Sequence, residues 1–131
     1  MESAKPRTAP IVYHADTISK MSPESFPNPN HGQCTWHTLF SQPQTPRSDM
    51  CAGIAHCPPY LGHLCRHRHK QAEIYYITKG RGRVFVDGET HSVLPGSVIF
   101  IPGDAEHGIA NESAEPLEWF YVFPAASFED I

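Results

Sequence analysis

No apolar run in these 131 residues is long enough to cross a bilayer as a helix, which needs about 20 consecutive apolar positions. Met1 to Ala9 lack the apolar segment of a secretory signal, so a cytoplasmic location is the expectation. A net charge of −4, with only 10 Lys plus Arg, gives no basic footprint for nucleic acid. The one basic run, Arg66-Arg68-Lys70, alternates with Cys65, His67 and His69 and reads as the outward side of a strand. No phosphate-cradling loop, dinucleotide fingerprint or nucleophile elbow occurs, which argues against nucleotide-dependent and serine-hydrolase chemistry. Cysteine is sparse. Cys34, Cys51, Cys57 and Cys65 fit no zinc-knuckle spacing and are expected as reduced thiols inside a cell. There is no internal repeat, and no helix longer than a turn or two is expected.

Proline is plentiful, and the 13 prolines crowd the first half. Residues 1–33 read as an irregular proline-rich arm, with Met1 to Pro10 a disordered tail and Ser22 to His31 coil. A single domain is expected over 34–125, followed by a short tail, 126–131. Within it, Trp36 to Phe40 and Met50 to His56 are β-prone, separated by a proline-bearing loop from Gln42 to Ser48. Ile74 to Thr78 and Arg83 to Val86 flank a Gly-x-Gly turn and read as a hairpin. Asp87-Gly88 signals a second hairpin, and Trp119 to Phe123 forms a late aromatic strand stopped by Pro124. Short strands at this spacing indicate an all-β sandwich or barrel.

Four side chains carry the chemistry. His67 and His69 stand two apart, which on extended backbone turns both imidazoles to one face. Glu73 follows four residues later, and His107 comes after the run from Gly96 to Pro102. Three imidazole nitrogens and one carboxylate suit Mn, Fe, Co, Ni, Cu or Zn and leave positions open for water or substrate. A divalent cation is therefore expected as the cofactor, and no organic cofactor.

Two linked motifs resemble the cupin superfamily. The first reads Gly62-(x4)-His67-Arg68-His69-(x3)-Glu73-(x6)-Gly80, one spacer residue short at the front. The second reads Gly96-(x5)-Pro102-Gly103-Asp104-(x2)-His107-(x3)-Asn111, with Asp104 where the family usually has a second glycine. Arg81 to Pro95 separate them, as in small single-domain, metal-binding cupins. The resemblance implies a double-stranded β-helix, or jelly-roll barrel, with His67, His69, Glu73 and His107 as metal ligands. It also implies an N-terminal arm crossing a partner subunit in a homodimer.

Strand parity suggests the surroundings of the metal. His63 and Cys65 share the side of His67 if the strand is regular that far, Tyr75 and Ile77 share that of Glu73, and Ile109 and Asn111 that of His107. Either Trp119, Tyr121 and Phe123 or Phe120 and Val122 must also look inward. Trp36, Tyr121, Phe123 and Ile109 are the candidate substrate contacts, although core packing is the favoured reading of Trp119 and Phe123. His56 and Tyr75 are the candidate proton-transfer groups. His37 and His63 are weaker candidates, and His14, His31 and His91 are assigned no role. Such a site suits a small organic acid, carbonyl or phenolic, polyketide-like substrate, with decarboxylation, elimination or isomerisation through a metal-stabilised enolate. A dioxygenase of an aromatic or enolic substrate and a non-catalytic metal- or ligand-binding cupin are the alternatives.

Overall fold

The computed structural model describes residues 9–42, 45 and 50–125. The expected N-terminal tail up to residue 8, most of the loop from Gln42 to Ser48 and the tail 126–131 lie outside the described residues. One short helix, α1 (Ala15–Ser19), precedes the strands β1 (Glu24–Ser25), β2 (Gly32–Gln33), β3 (Thr35–Phe40), β4 (Cys51–Cys57), β5 (His63–His67) and β6 (Glu73–Lys79). Then follow β7 (Gly82–Val86), β8 (Glu89–Val93), β9 (Val98–Ile101), β10 (His107–Ala110) and β11 (Leu117–Phe123). Among the described residues no helix is long and apolar enough to cross a membrane.

The strands form two antiparallel sheets, in the orders β1-β3-β4-β11-β6-β9 and β2-β5-β10-β7-β8. The all-β expectation holds, as a jelly-roll sandwich. Alternation fixes which side chains meet between the sheets. Along β11, Leu117, Trp119, Tyr121 and Phe123 are buried, while Glu118, Phe120 and Val122 are only partly so. Along β6, Glu73, Tyr75 and Ile77 are buried, while Ile74 and Tyr76 face away. Val84 and Ile109 from the second sheet pack against Ile77, Ile101 and Trp119 from the first. Each large apolar side chain so buried contributes about 1.5–3 kcal/mol, which drives the two sheets together.

Two local expectations are corrected. β6 and β7 do not pair: β6 lies between β11 and β9, and β7 between β10 and β8. The Gly-x-Gly turn is instead a corner that carries the chain from one sheet to the other. Gly80, at φ 78°, makes it, where a Cβ would come within 2.1 Å of the Pro116 carbonyl. Sandwich corners of this kind replace hairpins where a strand must change sheets. The stretch from Ser22 to His31, expected as coil, contains β1, which pairs with the edge of β3. Its prolines flank the strand and leave its two residues free to pair. Asp87-Gly88 is the expected turn, with both residues at positive φ (47° and 83°), joining β7 to β8.

Asn111 closes the far end of the second motif. Fully buried, it donates from Nδ2 to the carbonyls of Cys57 (3.3 Å), Pro58 (3.1 Å) and Glu115 (2.7 Å). Its Oδ1 accepts from the Ser113 amide and hydroxyl. Asn111→Ala should cost about 2–3 kcal/mol in urea unfolding, because buried carbonyls lose their donor. Wild-type stability in that variant would contradict the structural role.

Candidate metal centre and cavity

The register of the second sheet pairs His107, the first residue of β10, directly with His67, the last of β5. Their ring centroids are 4.3 Å apart. His69 lies two residues beyond β5, in a loop held from outside. The Asp104 amide donates to the His69 carbonyl at 2.7 Å. Asp104 sits at φ 64°, the left-handed region that favours glycine and that aspartate tolerates better than most residues. At Gly103 no side chain fits, since a Cβ would lie 2.2 Å from the Lys70 carbonyl. The turn of the second motif thus braces the histidine loop of the first. Glu73 enters from the other sheet, opposite Ile101.

Each of the three rings is fixed through Nδ1. His67 Nδ1 meets the Cys65 carbonyl at 2.8 Å, His69 Nδ1 the Gln71 carbonyl at 2.9 Å, and His107 Nδ1 the Ala105 carbonyl at 2.9 Å. A carbonyl only accepts, so each Nδ1 holds the proton and each Nε2 keeps a lone pair. One ring nitrogen from each histidine lies within 4.8 Å of the others. Glu73 Oε1 is 3.4 Å from His69 Nε2 and 3.3 Å from His107 Nε2. Lone pairs facing a carboxylate repel one another unless positive charge lies among them, and the buried His107 Nε2 has no hydrogen-bond partner. The donor set therefore fits a divalent cation.

Burial holds the His67 imidazole below its ordinary pKa, and neighbouring His107 and His69 add to the effect. Contact with Glu73 raises His69, against burial. Burial pushes the Glu73 carboxyl up, but its contacts with His107 and His69 outweigh it and hold its pKa below the ordinary value.

Beside this cluster lies a cavity of about 440 Å³, within the usual 300–1,000 Å³ of small-molecule sites. Trp36, Tyr121 and Phe123 line it as expected, with Tyr75, Trp119 and Phe26 completing an aromatic wall. Among the described residues, no lysine or arginine lines it. Arg66 instead stacks on Phe85 at 4.5 Å, and Arg68 pairs outside with Glu106 at 3.9 Å. The Tyr75 phenol is buried; burial first and the Glu73 charge second push its pKa well above the ordinary value. Tyr121 lays its ring across Gly53, directly opposite on β4, and turns its hydroxyl toward Thr38.

Three sequence expectations move. His56 points to the outer face of β4, 3.4 Å from Glu118 and edge-on to His37, and does not line the cavity. Alternation sends it opposite to Ala55, so it has no path to a bound substrate. Ile109 is fully buried between the sheets and packs the core without forming the cavity wall. Cys65 reaches the cavity but His63 does not. The register of β5 slips between His67 and Leu64, so Leu64 takes the inward place opposite Ile109. His63 is left at the surface, its Nδ1 on the Leu61 carbonyl. A bulge of this kind reverses parity and has no reliable sequence signal here. Phe26 and His31 also line the cavity, reached because β1 and β2 add the arm to both sheets. Phe26 packs on Trp36 with ring centroids 4.8 Å apart. Read as coil, the arm carried no periodicity that marked them.

Known proteins place this architecture. Residues 58–123 match the Cupin_2 family, the cupin domain. The chain is 37% identical over 128 residues to the dimethylsulfoniopropionate lyase DddW of Ruegeria pomeroyi, covering 97% of this chain and 82% of that one. It resembles the structure of a predicted oxalate decarboxylase from Thermotoga maritima, with TM-score 0.73, 25% identity and coverage of 82% and 96%. The polyketide cyclase RemF of Streptomyces resistomycificus shares the fold, with TM-score 0.75, 21% identity and coverage of 88% and 80%. With both histidine motifs, the sandwich and the family match in agreement, the chain belongs to the cupin family.

Proposed function

We propose that this cupin is a metal-dependent lyase that eliminates a neutral sulfide from a β-sulfonium carboxylate, of the kind named by its 37%-identical relative. The observation that carries this reading is the pairing of a three-histidine cluster, with Glu73 against it, and an aromatic cavity that no lysine or arginine lines among the described residues. A zwitterion suits both halves. Its carboxylate turns to the cluster, and its sulfonium lies against the faces of Trp36, Phe26 and Tyr121, where cation–π attraction replaces lost hydration.

His67, His69, Glu73 and His107 would hold a divalent cation, which would supply Lewis acidity toward the substrate carboxylate and a positive field opposing the burial and Glu73 charge that disfavour the Tyr75 phenolate. Tyr75 Oη takes the proton from the carbon next to the carboxylate. The electrons of that C–H bond form the C=C bond, and those of the C–S bond leave on sulfur. An unsaturated carboxylate and a neutral dialkyl sulfide result, with the proton on Tyr75. The apolar walls keep water from competing for that proton. No redox change occurs, so no oxygen is consumed.

The test is to incubate metal-loaded protein with dimethylsulfoniopropionate and follow acrylate and dimethyl sulfide together with oxygen. Equal amounts of both products without oxygen uptake are expected. Unchanged ligand would indicate a binding cupin, and oxygen uptake a dioxygenase; either result contradicts the proposal. Trp36→Ala should raise KM for the sulfonium substrate about 3- to 30-fold, with a smaller change in kcat, because it removes one cation–π face. Equal KM values for variant and wild type would remove Trp36 from substrate recognition.

A further inference from the structure

The cavity wall and the core behind it hold two thiols that the lyase chemistry leaves unused. β3 and β4 pair with Thr35 opposite His56 and Trp36 opposite Ala55. Continuing that register by one residue sets Cys34 opposite Cys57. Residues directly opposite on antiparallel strands point to the same side with Cα atoms about 4.5–5.5 Å apart, inside the span that a disulfide bridges. Both side chains are buried in one core cluster, and both are free thiols. Only Cys34 also faces the cavity. The two differ in access: Cys34 lines the cavity, whereas Cys57 lies behind it, where the neighbouring Cys34 and burial hold its thiol pKa up. Cys51 is occupied elsewhere, with its sulfur 3.6 Å from the Ser41 hydroxyl.

We propose that Cys34 and Cys57 are a peroxide-reactive dithiol that closes to an intrachain cross-strand disulfide. Hydrogen peroxide enters through the cavity, and the Cys34 thiolate attacks one peroxide oxygen, breaking the O–O bond and releasing hydroxide. The Cys57 sulfur then attacks the sulfur of the resulting Cys34 sulfenic acid and displaces its hydroxyl. The S–S bond forms, the S–O bond breaks, and the Cys57 proton leaves with the hydroxyl as water. Two thiols are oxidised and one peroxide is reduced. The disulfide ties the arm side of β3 to the end of β4, on the wall shared with Tyr75. It thereby links oxidant exposure to the shape of the cavity.

The test treats the metal-loaded full chain with a small excess of hydrogen peroxide, quenches it, denatures and alkylates it, and maps peptides by mass without reduction. The expected result is a reducible cross-link between the peptides carrying Cys34 and Cys57, with Cys51 and Cys65 alkylated. Thermal unfolding should also shift upward by several degrees, and reversibly on reduction. In Cys57→Ser, peroxide should leave Cys34 as a sulfenic acid trapped by dimedone and give no shift in thermal unfolding. Full alkylation of all four cysteines, a link from Cys34 to Cys65, or links between chains would each overturn the proposal. The readout is mass rather than turnover, so it stands or falls separately from the lyase reading.

Discussion

His107→Ala is expected to lose bound metal almost completely, with an affinity drop of more than about 100-fold. Removing even a partner that only orients a ligand costs about 10- to 100-fold, and a direct ligand costs more. His107 sits at the centre of the cluster: its ring faces His67 at 4.3 Å and His69 at 4.9 Å, and its Nε2 faces Glu73. His69→Ala should behave in the same way. Glu73→Gln keeps an oxygen donor but loses the charge, so it should weaken binding without abolishing it. His14→Ala and His91→Ala serve as controls, since both residues lie outside the cluster and are exposed, His91 beside Glu89. Elemental analysis after dialysis against a chelator reads all five variants. Stoichiometric metal in His107→Ala or His69→Ala would reject the ligand set.

The second large effect falls on turnover alone. Tyr75→Phe should lower kcat about 10²- to 10⁴-fold, the usual contribution of a positioned proton-transfer group. Metal content should stay near wild type, because Tyr75 is not one of the four proposed ligands. The ring stays, packed against Trp119 with centroids 5.7 Å apart and beside His107 at 6.3 Å. Stability should therefore change little. His56→Ala provides the contrast, because its side chain is on the outer face with Glu118. Full turnover in Tyr75→Phe, or a large loss in His56→Ala, would move the proton-transfer role elsewhere. Measuring kcat and metal content on the same preparations separates a lost base from a lost metal.

The contrast between these two residues shows what the sequence could and could not reveal. Period-two alternation from Glu73 carries correctly to Tyr75 and Ile77 because β6 is regular along that stretch. On β4 the same alternation turns Ala55 to the cavity and His56 away from it. His63 was placed by alternation, and the bulge in β5 defeated it. Glycines and their substitutes were readable where backbone geometry demands them. Asp104 stands where a glycine is usual and adopts the left-handed conformation that explains the preference. Gly80 was legible as a turn but not as a corner between sheets, since the destination of β7 depends on which strands it meets later in the chain. The contribution of the arm was hidden for a similar reason. Phe26 reaches the cavity through strands of two residues each, too short to show a period.

The convergence of His67, His69, Glu73 and His107 on one cation is tested most directly by anomalous diffraction from crystals of the protein with its co-purifying metal, at the absorption edge of that metal. The expected result is one peak per chain, about 2.0–2.2 Å from a nitrogen of each of the three imidazoles and from a Glu73 oxygen. A peak bound elsewhere, or full metal content with no peak inside this cluster, would contradict it.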